Sequence, residues 1–259
     1  MHFYFDTLII DFHKGNSPTD GFKGTQMSKQ ESFSDDIKQI KIDSAIERLI
    51  ACYDNGGKLM ICGNGGSAAD CEHIVGELMK GFCLPRSLSS ADQDHLATSC
   101  EEDAVFLGKK LQYGLPALSL VSHSSLITAI ANDLDTDIIF AQQIWGLGKA
   151  GDTLLAISTS GNSRNVVLAA KVARAKHITV IGLTGEGGGL LAPHCDVLID
   201  VPSDDVARIA RERRPVARAE VRQWLGMGAG AGRVYVDFVW RFYGGHRRRI
   251  CLSHMAHDG

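Results

Sequence analysis

The chain has seven cysteines, at positions 52, 62, 71, 83, 100, 195 and 251, and no two are separated by only two residues. The spacing of a zinc or redox pair is therefore missing, and the odd count speaks against a disulfide framework; the cysteines read as cytosolic thiols. No apolar run is long enough to span a membrane. Met1 to Asp11 contains a short apolar stretch broken by Asp6 and has no basic flank, which makes it a poor signal peptide, so a cytoplasmic location is expected. The net charge is only −3, so there is no global pull toward nucleic acid or anionic lipid, and neither partner is expected. Lysine is absent after Lys176, whereas 11 of the 15 arginines lie between Arg208 and Arg249. The remaining composition, 44% apolar and 22% charged over 259 residues, is that of an ordinary globular protein with one sizeable domain and extensions, or two small ones.

Residues 1–36 mix turn formers, charge and serine without period and read as a disordered extension. From about Asp36 to Tyr53, Ile37, Ile40, Ile42, Ala45, Ile46, Leu49 and Ile50 recur at roughly helical spacing, and Asn55-Gly56-Gly57 ends the run. Short apolar runs without alternation follow at 58–62, 117–121, 153–157, 178–183 and 196–201, a pattern that suits strands buried on both faces. Helix-like segments lie between them at 67–79, 101–111, 124–131, 137–147 and 162–175. This alternation predicts an α/β fold, a three-layer sandwich whose central parallel five-stranded sheet is flanked by helices. Residues 84–100 lack a period and read as a surface insertion. After Arg208 the periodicity fades, Pro215 interrupts what should be a helix, and 226–232 is a glycine-rich run.

Two strand-to-helix turns share one chemistry. The first is Gly63-Asn64-Gly65-Gly66-Ser67 and the second is Ser158-Thr159-Ser160-Gly161-Asn162-Ser163. Glycine and serine at such a turn let backbone N–H groups and hydroxyls close on an anion, and the helix N-terminus adds roughly +0.5 elementary charge. The first turn alone is a weak signal, because it matches neither the Gly-x-Gly-x-x-Gly dinucleotide fingerprint nor a nucleoside-triphosphate loop with its lysine. In the second, Ser158, Thr159, Ser160 and Ser163 place four hydroxyls around one turn, enough to hold a phosphate monoester without a metal. Ligands of parallel sheets sit at the carboxyl ends of the strands, where both turns fall, so a phosphorylated small molecule is expected.

His73 and Glu77 stand four apart on the helix after the first turn, on one face and about a turn below the loop. Such a pair can ligate a divalent ion such as zinc, or its carboxylate can act as general base on a sugar-phosphate C1–C2 unit through an enediol; an ordinary surface pair is the plainer alternative. Asn132 and Asp133 are candidates for hydrogen bonds to sugar hydroxyls, with a helix-terminal turn as the plainer alternative. His123, between Ser122 and Ser124, reads more as part of a helix-capping turn than as a site residue. His177, His194 and the cysteines read as structural. Gly185 to Gly189 reads as a flexible turn, with a smaller chance that its amides border the pocket.

Taken together, residues 37–209 resemble the sugar isomerase (SIS) domain family, and within it the phosphoheptose isomerases. The resemblance rests on Gly63-Asn64-Gly65-Gly66-Ser67-Ala68-Ala69-Asp70, on His73-x-x-x-Glu77, on Ala131-Asn132-Asp133 and on Ser158 to Ser163. It implies the SIS fold, a homotetramer in which helices of neighbouring subunits complete each site, and conversion of sedoheptulose 7-phosphate to a glycero-manno-heptose 7-phosphate for surface glycans. It further implies that Asn64, Gly65, Gly66, Ser67, Asn132 and Asp133 line the substrate and that Ser158, Thr159, Ser160 and Ser163 grip the phosphate. His73 and Glu77 become zinc ligands, with Glu77 also the proton-transferring carboxylate. A Gln and a His eight residues later, which the family carries on a C-terminal helix, fall here on Ala210 and Arg218. The 210–259 tail, rich in arginine and glycine, thus departs from the family right after Ile209, as a shifted reading frame would make it. A non-catalytic sugar-phosphate-binding SIS module, acting as a regulator or binding the replication initiator, is the alternative.

Overall fold

The apolar runs become the strands of one parallel sheet, whose three central members are buried on both faces and whose two edge members are partly exposed. The computed structural model describes residues 29–81, 85–201, 220–223 and 236–239. In chain order the elements are α1 (Lys29–Asp54), β1 (Leu59–Gly63), α2 (Gly66–Met79), α3 (Ser90–Ser99), α4 (Ala104–Lys110), β2 (Ala117–Ser119), α5 (Ser124–Asp133), α6 (Ile139–Leu147), β3 (Thr153–Ser158), α7 (Arg164–Ala175), β4 (Thr179–Thr184) and β5 (Val197–Asp200). The strands order as β2-β1-β3-β4-β5, every neighbouring pair parallel. From β1 the chain runs outward to β2 and then returns to the opposite side of β1 to form β3. The direction of winding therefore reverses between β1 and β3, and a crevice opens there at the carboxyl ends of the strands.

Successive residues of β1 feed opposite layers. Leu59 and Ile61 pack with Ile42, Ala45 and Ile46 of α1 and with Ile74 and Leu78 of α2. Met60 and Cys62 pack with Phe140 and Ile144 of α6 and with Val166, Ala169, Ala170 and Ala173 of α7. Burial of a leucine or isoleucine contributes about 1.5–3 kcal/mol. With both faces covered no polar position is called for, which is why the strand sequences do not alternate. The five described cysteines are free, and burial pushes the Cys71 thiol up to about 12 and that of Cys62 well above its ordinary value, so both stay protonated and inert.

The amino end of the sheet is closed by one buried carboxylate. Asp152, just before β3, accepts from the backbone N–H groups of Lys58 at 3.0 Å and Lys149 at 2.8 Å and from the Lys58 ammonium at 2.6 Å. Burial pulls its pKa upward, but these donors outweigh it and hold the carboxyl below its usual range.

The structure departs from the sequence reading at three places. Helix α1 begins at Lys29, earlier than the apolar spacing sets it, since a helix once nucleated extends through residues such as Lys29, Gln30 and Glu31 that favour it. The expected insertion at 84–100 is partly helical: Ser89 caps α3 by accepting from the Asp92 N–H at 3.1 Å. No residue of α3 is buried, so its sequence had no apolar period to show. Beyond β5, only β6 (Glu220–Gln223) and β7 (Val236–Val239) are described, and they pair antiparallel. Residues 1–28, Ala210, Arg218 and most of the arginine-rich tail lie outside the described residues.

Candidate functional site

Both loops sit at the winding reversal. Gly63 is in register with Ile157, and Ser158 with Thr184, so β1, β3 and β4 end level and the loops leave neighbouring strands side by side. Gly65 turns the first loop into α2 with φ 55° and ψ −119°, a conformation outside the left-handed helical region that glycine alone adopts readily. Gly161 turns the second with φ 67°, and here space matters as well: a Cβ would lie 2.0 Å from the Gly188 carbonyl oxygen. Neither Gly65 nor Ser163 makes a side-chain capping bond to its helix, while the N–H groups of Ser67 and Ala68 on α2 and of Val166 and Val167 on α7 donate to the carbonyls of Asn64, Gly65 and Ser163.

In the second loop the Ser158 hydroxyl donates to Ser163 Oγ at 3.1 Å, and Ser160 Oγ accepts from the Asn162 N–H at 3.1 Å. Ser158 is buried and Ser160 is exposed. The glycine run after β4 is the brace of this loop rather than a loose turn. The Gly185 N–H donates to Thr159 O at 2.8 Å, Leu190 N–H to Asn162 Oδ1 at 3.0 Å and Leu191 N–H to Gly161 O at 2.9 Å. Three separate backbone donors thus hold the hydroxyl-bearing turn from outside.

The first loop is held more sparely. The Ser67 N–H donates to Asn64 O at 3.0 Å, and Ser67 itself is buried under the loop. The Asn64 side chain reaches Asn165, in the first turn of α7, through two hydrogen bonds of 2.9 and 3.0 Å. The sequence reading did not find Asn165. Its partner is 101 residues away, and no local pattern signals such a contact.

His73 and Glu77 do meet, with Nε2 2.9 Å from Oε1; His73 is exposed, whereas only 14% of the Glu77 side chain is accessible. Their distance from the loop corrects the sequence expectation of about one turn. At 1.5 Å per residue, Glu77 is about 16 Å along α2 from Gly66, in the last turns of the helix. That end is anchored by buried Arg86, whose guanidinium donates to the Leu78 carbonyl. The His73 nitrogen and Glu77 oxygen suit zinc in kind. Zinc takes four ligands, however, of which at least three come from protein even in catalytic sites. Among the described residues no group of three His, Cys, Asp or Glu could hold a metal. The described part of one chain therefore does not make a zinc site.

Asn132 and Asp133 end α5, both exposed, with Asn132 Nδ2 donating to Asp133 Oδ1 at 2.8 Å. They bond each other, not a loop residue, but the corner that follows them is tied to the second loop. Asp137 accepts from Arg164 Nε at 2.7 Å, and Arg164 opens α7. His123 occupies the N-cap position of α5 without a side-chain capping bond; next to it, Ser122 Oγ donates to Glu72 Oε1 on α2 at 3.0 Å. The structure thus joins the two loops and joins His73 to Glu77, with Glu77 about 16 Å along α2 from the first loop.

The arrangement can bind a phosphate at the winding reversal and offers a carboxylate farther down α2. A family model described as "SIS domain" matches residues 28–93 and 103–185. The phosphoheptose isomerase of Roseiflexus sp. (strain RS-1) is 35% identical over 209 residues, 78% of this chain and 92% of that protein. The phosphoheptose isomerase of Mycobacterium tuberculosis (strain CDC 1551 / Oshkosh) is 42% identical over 163 residues, 63% of this chain and 70% of that protein. Among solved structures, the phosphoheptose isomerase of Neisseria gonorrhoeae superposes with a TM-score of 0.57 at 33% identity, over 73% of this chain and 87% of that one.

Proposed function

The chain belongs to the SIS domain family, among the phosphoheptose isomerases, and from that premise we propose that it converts sedoheptulose 7-phosphate to D-glycero-D-manno-heptose 7-phosphate. The observation that carries this reading is the pair of uncapped, glycine-turned loops placed side by side at the winding reversal, the second lined with hydroxyls. The opening N–H groups of α7 and the hydroxyls of Ser158, Thr159, Ser160 and Ser163 hold the phosphate, while Asn64, Gly65, Gly66 and Ser67 meet the sugar, with Asn132 and Asp133 at its edge. Glu77 removes a C1 proton of the ketose as the C2 carbonyl oxygen takes up one from solvent, giving the enediol; the C1 hydroxyl then gives up its proton to solvent as C2 regains one from Glu77, so hydrogen is redistributed without changing the formula. His73, with Nε2 2.9 Å from Oε1, stands beside the carboxylate and limits its orientation.

The roughly 16 Å between Gly66 and Glu77 supports a shared site, in which the carboxylate of one copy serves the loops of another within a homotetramer. Exposed Val105 and Phe106 on α4 and Trp145 on α6 are apolar surface consistent with such assembly. Zinc at His73 and Glu77 belongs to the same proposal, with further ligands from outside the described residues; the metal content of the purified full chain tests it.

Incubation of the full chain with sedoheptulose 7-phosphate, with and without added zinc, should produce the aldose. Binding without turnover in either condition would overturn the isomerase reading in favour of a non-catalytic sugar-phosphate-binding module.

A further inference from the structure

We propose that Asn165 is a positioning residue that locks the first loop to the start of α7, so that the two halves of the binding crevice are held as one unit. The inference rests on the phosphosugar reading of these loops and adds a residue to it. Asn165 Oδ1 accepts from the Val166 N–H at 2.9 Å, an opening donor of α7 that also reaches the Ser163 carbonyl at 3.0 Å. This bond fixes which end of the amide is oxygen, because an NH2 group there would face another donor. With Oδ1 so placed, Nδ2 donates to Asn64 Oδ1 at 3.0 Å and Oδ1 also accepts from Asn64 Nδ2 at 2.9 Å. The helix start thus sets the orientation of Asn165, and Asn165 sets that of Asn64. Asn64 directly follows Gly63, the last residue of β1, so its side chain is the handle by which α7 holds the first loop. Each amide keeps one further N–H for a ligand in the crevice.

The test is a double-mutant cycle in the full chain with Asn64→Ala, Asn165→Ala and the double variant, read by steady-state kinetics with sedoheptulose 7-phosphate and by calorimetric titration with inorganic phosphate. Each single change should raise KM about tenfold with a smaller change in kcat, and the double variant should be no worse than the poorer single one. Multiplying effects on KM, or a collapse of kcat at unchanged KM, would overturn the proposal. Asn165→Ser keeps an acceptor near the Val166 N–H but is too short to reach Asn64, so it should match Asn165→Ala. Recovery of the wild-type KM by this variant would assign the effect to the helix start and also overturn the proposal. If the wild-type chain binds phosphate but turns nothing over, only the isomerase reading falls and the cycle is read on phosphate dissociation constants. If it binds neither, both fall.

Discussion

The two loops do related jobs with different degrees of restraint. The second is braced from outside by three backbone donors of the glycine-rich turn after β4, and its central glycine touches that turn so closely that no Cβ fits. The first has open space around Gly65 and Gly66 and is tied across the crevice by a single amide pair. The difference suits the proposed division of labour, with the phosphate in the second loop and the sugar along the first. A phosphate has one shape and rewards a rigid cradle, whereas the sugar end changes hybridisation during reaction and needs a wall that is held but not packed.

Five substitutions bear on that contrast, the largest effect on function first. Glu77→Gln should lower kcat about a thousandfold while phosphosugar binding survives, which would separate chemistry on α2 from binding at both loops; unchanged turnover would remove Glu77 as the base. Gly161→Ala should weaken phosphosugar binding about a hundredfold by calorimetry, because the new Cβ must displace the Gly188 carbonyl. Gly65→Ala, with only its backbone to strain, should cost less than Gly161→Ala, about 1–2 kcal/mol. Equal losses at the two glycines would erase the distinction between the loops. Ser160→Ala should raise KM about tenfold with little change in kcat. Asp152→Asn, at the far end of the sheet, should leave activity intact and lower the melting temperature, at a cost of about 3 kcal/mol. Because the folded-state pKa of Asp152 is depressed, its contribution is full above about pH 4 and is lost as pH falls through the lower folded-state value. The gap in melting temperature between wild type and variant should therefore close in acid.

Much of this was legible in the sequence because the governing physics is local. Leu59 to Cys62 and Leu154 to Ile157 are apolar at every position, which only a doubly covered strand explains, and the turns after them carry their glycines and serines where an anion cradle needs them. His73 and Glu77 meet because residues four apart on a helix share a face. Their distance from the loop was misjudged because a shared face says nothing about how far along the helix it lies. Asn165, Arg164 with Asp137 and Ser122 with Glu72 were missed for another reason: each bond joins segments that only the strand order brings together. Helix α3 stayed hidden because it buries nothing and so wrote no period into the chain.

The adjacency of β1 and β3 also bears on how the protein is made. Asn64 and Asn165 are separated by 101 residues, so neither half of the crevice exists as a site until the chain has been synthesised and wound well past its middle. Early contacts of α1, β1 and α2 can form while the phosphate cradle is still unwritten, and closure of the crevice is a late, long-range event. A phosphosugar then binds only the finished fold, and at a hundred times its dissociation constant it shifts the folding balance by about 2.7 kcal/mol. Substrate supply in the cell would thereby act on how much of this protein persists as well as on how fast it works.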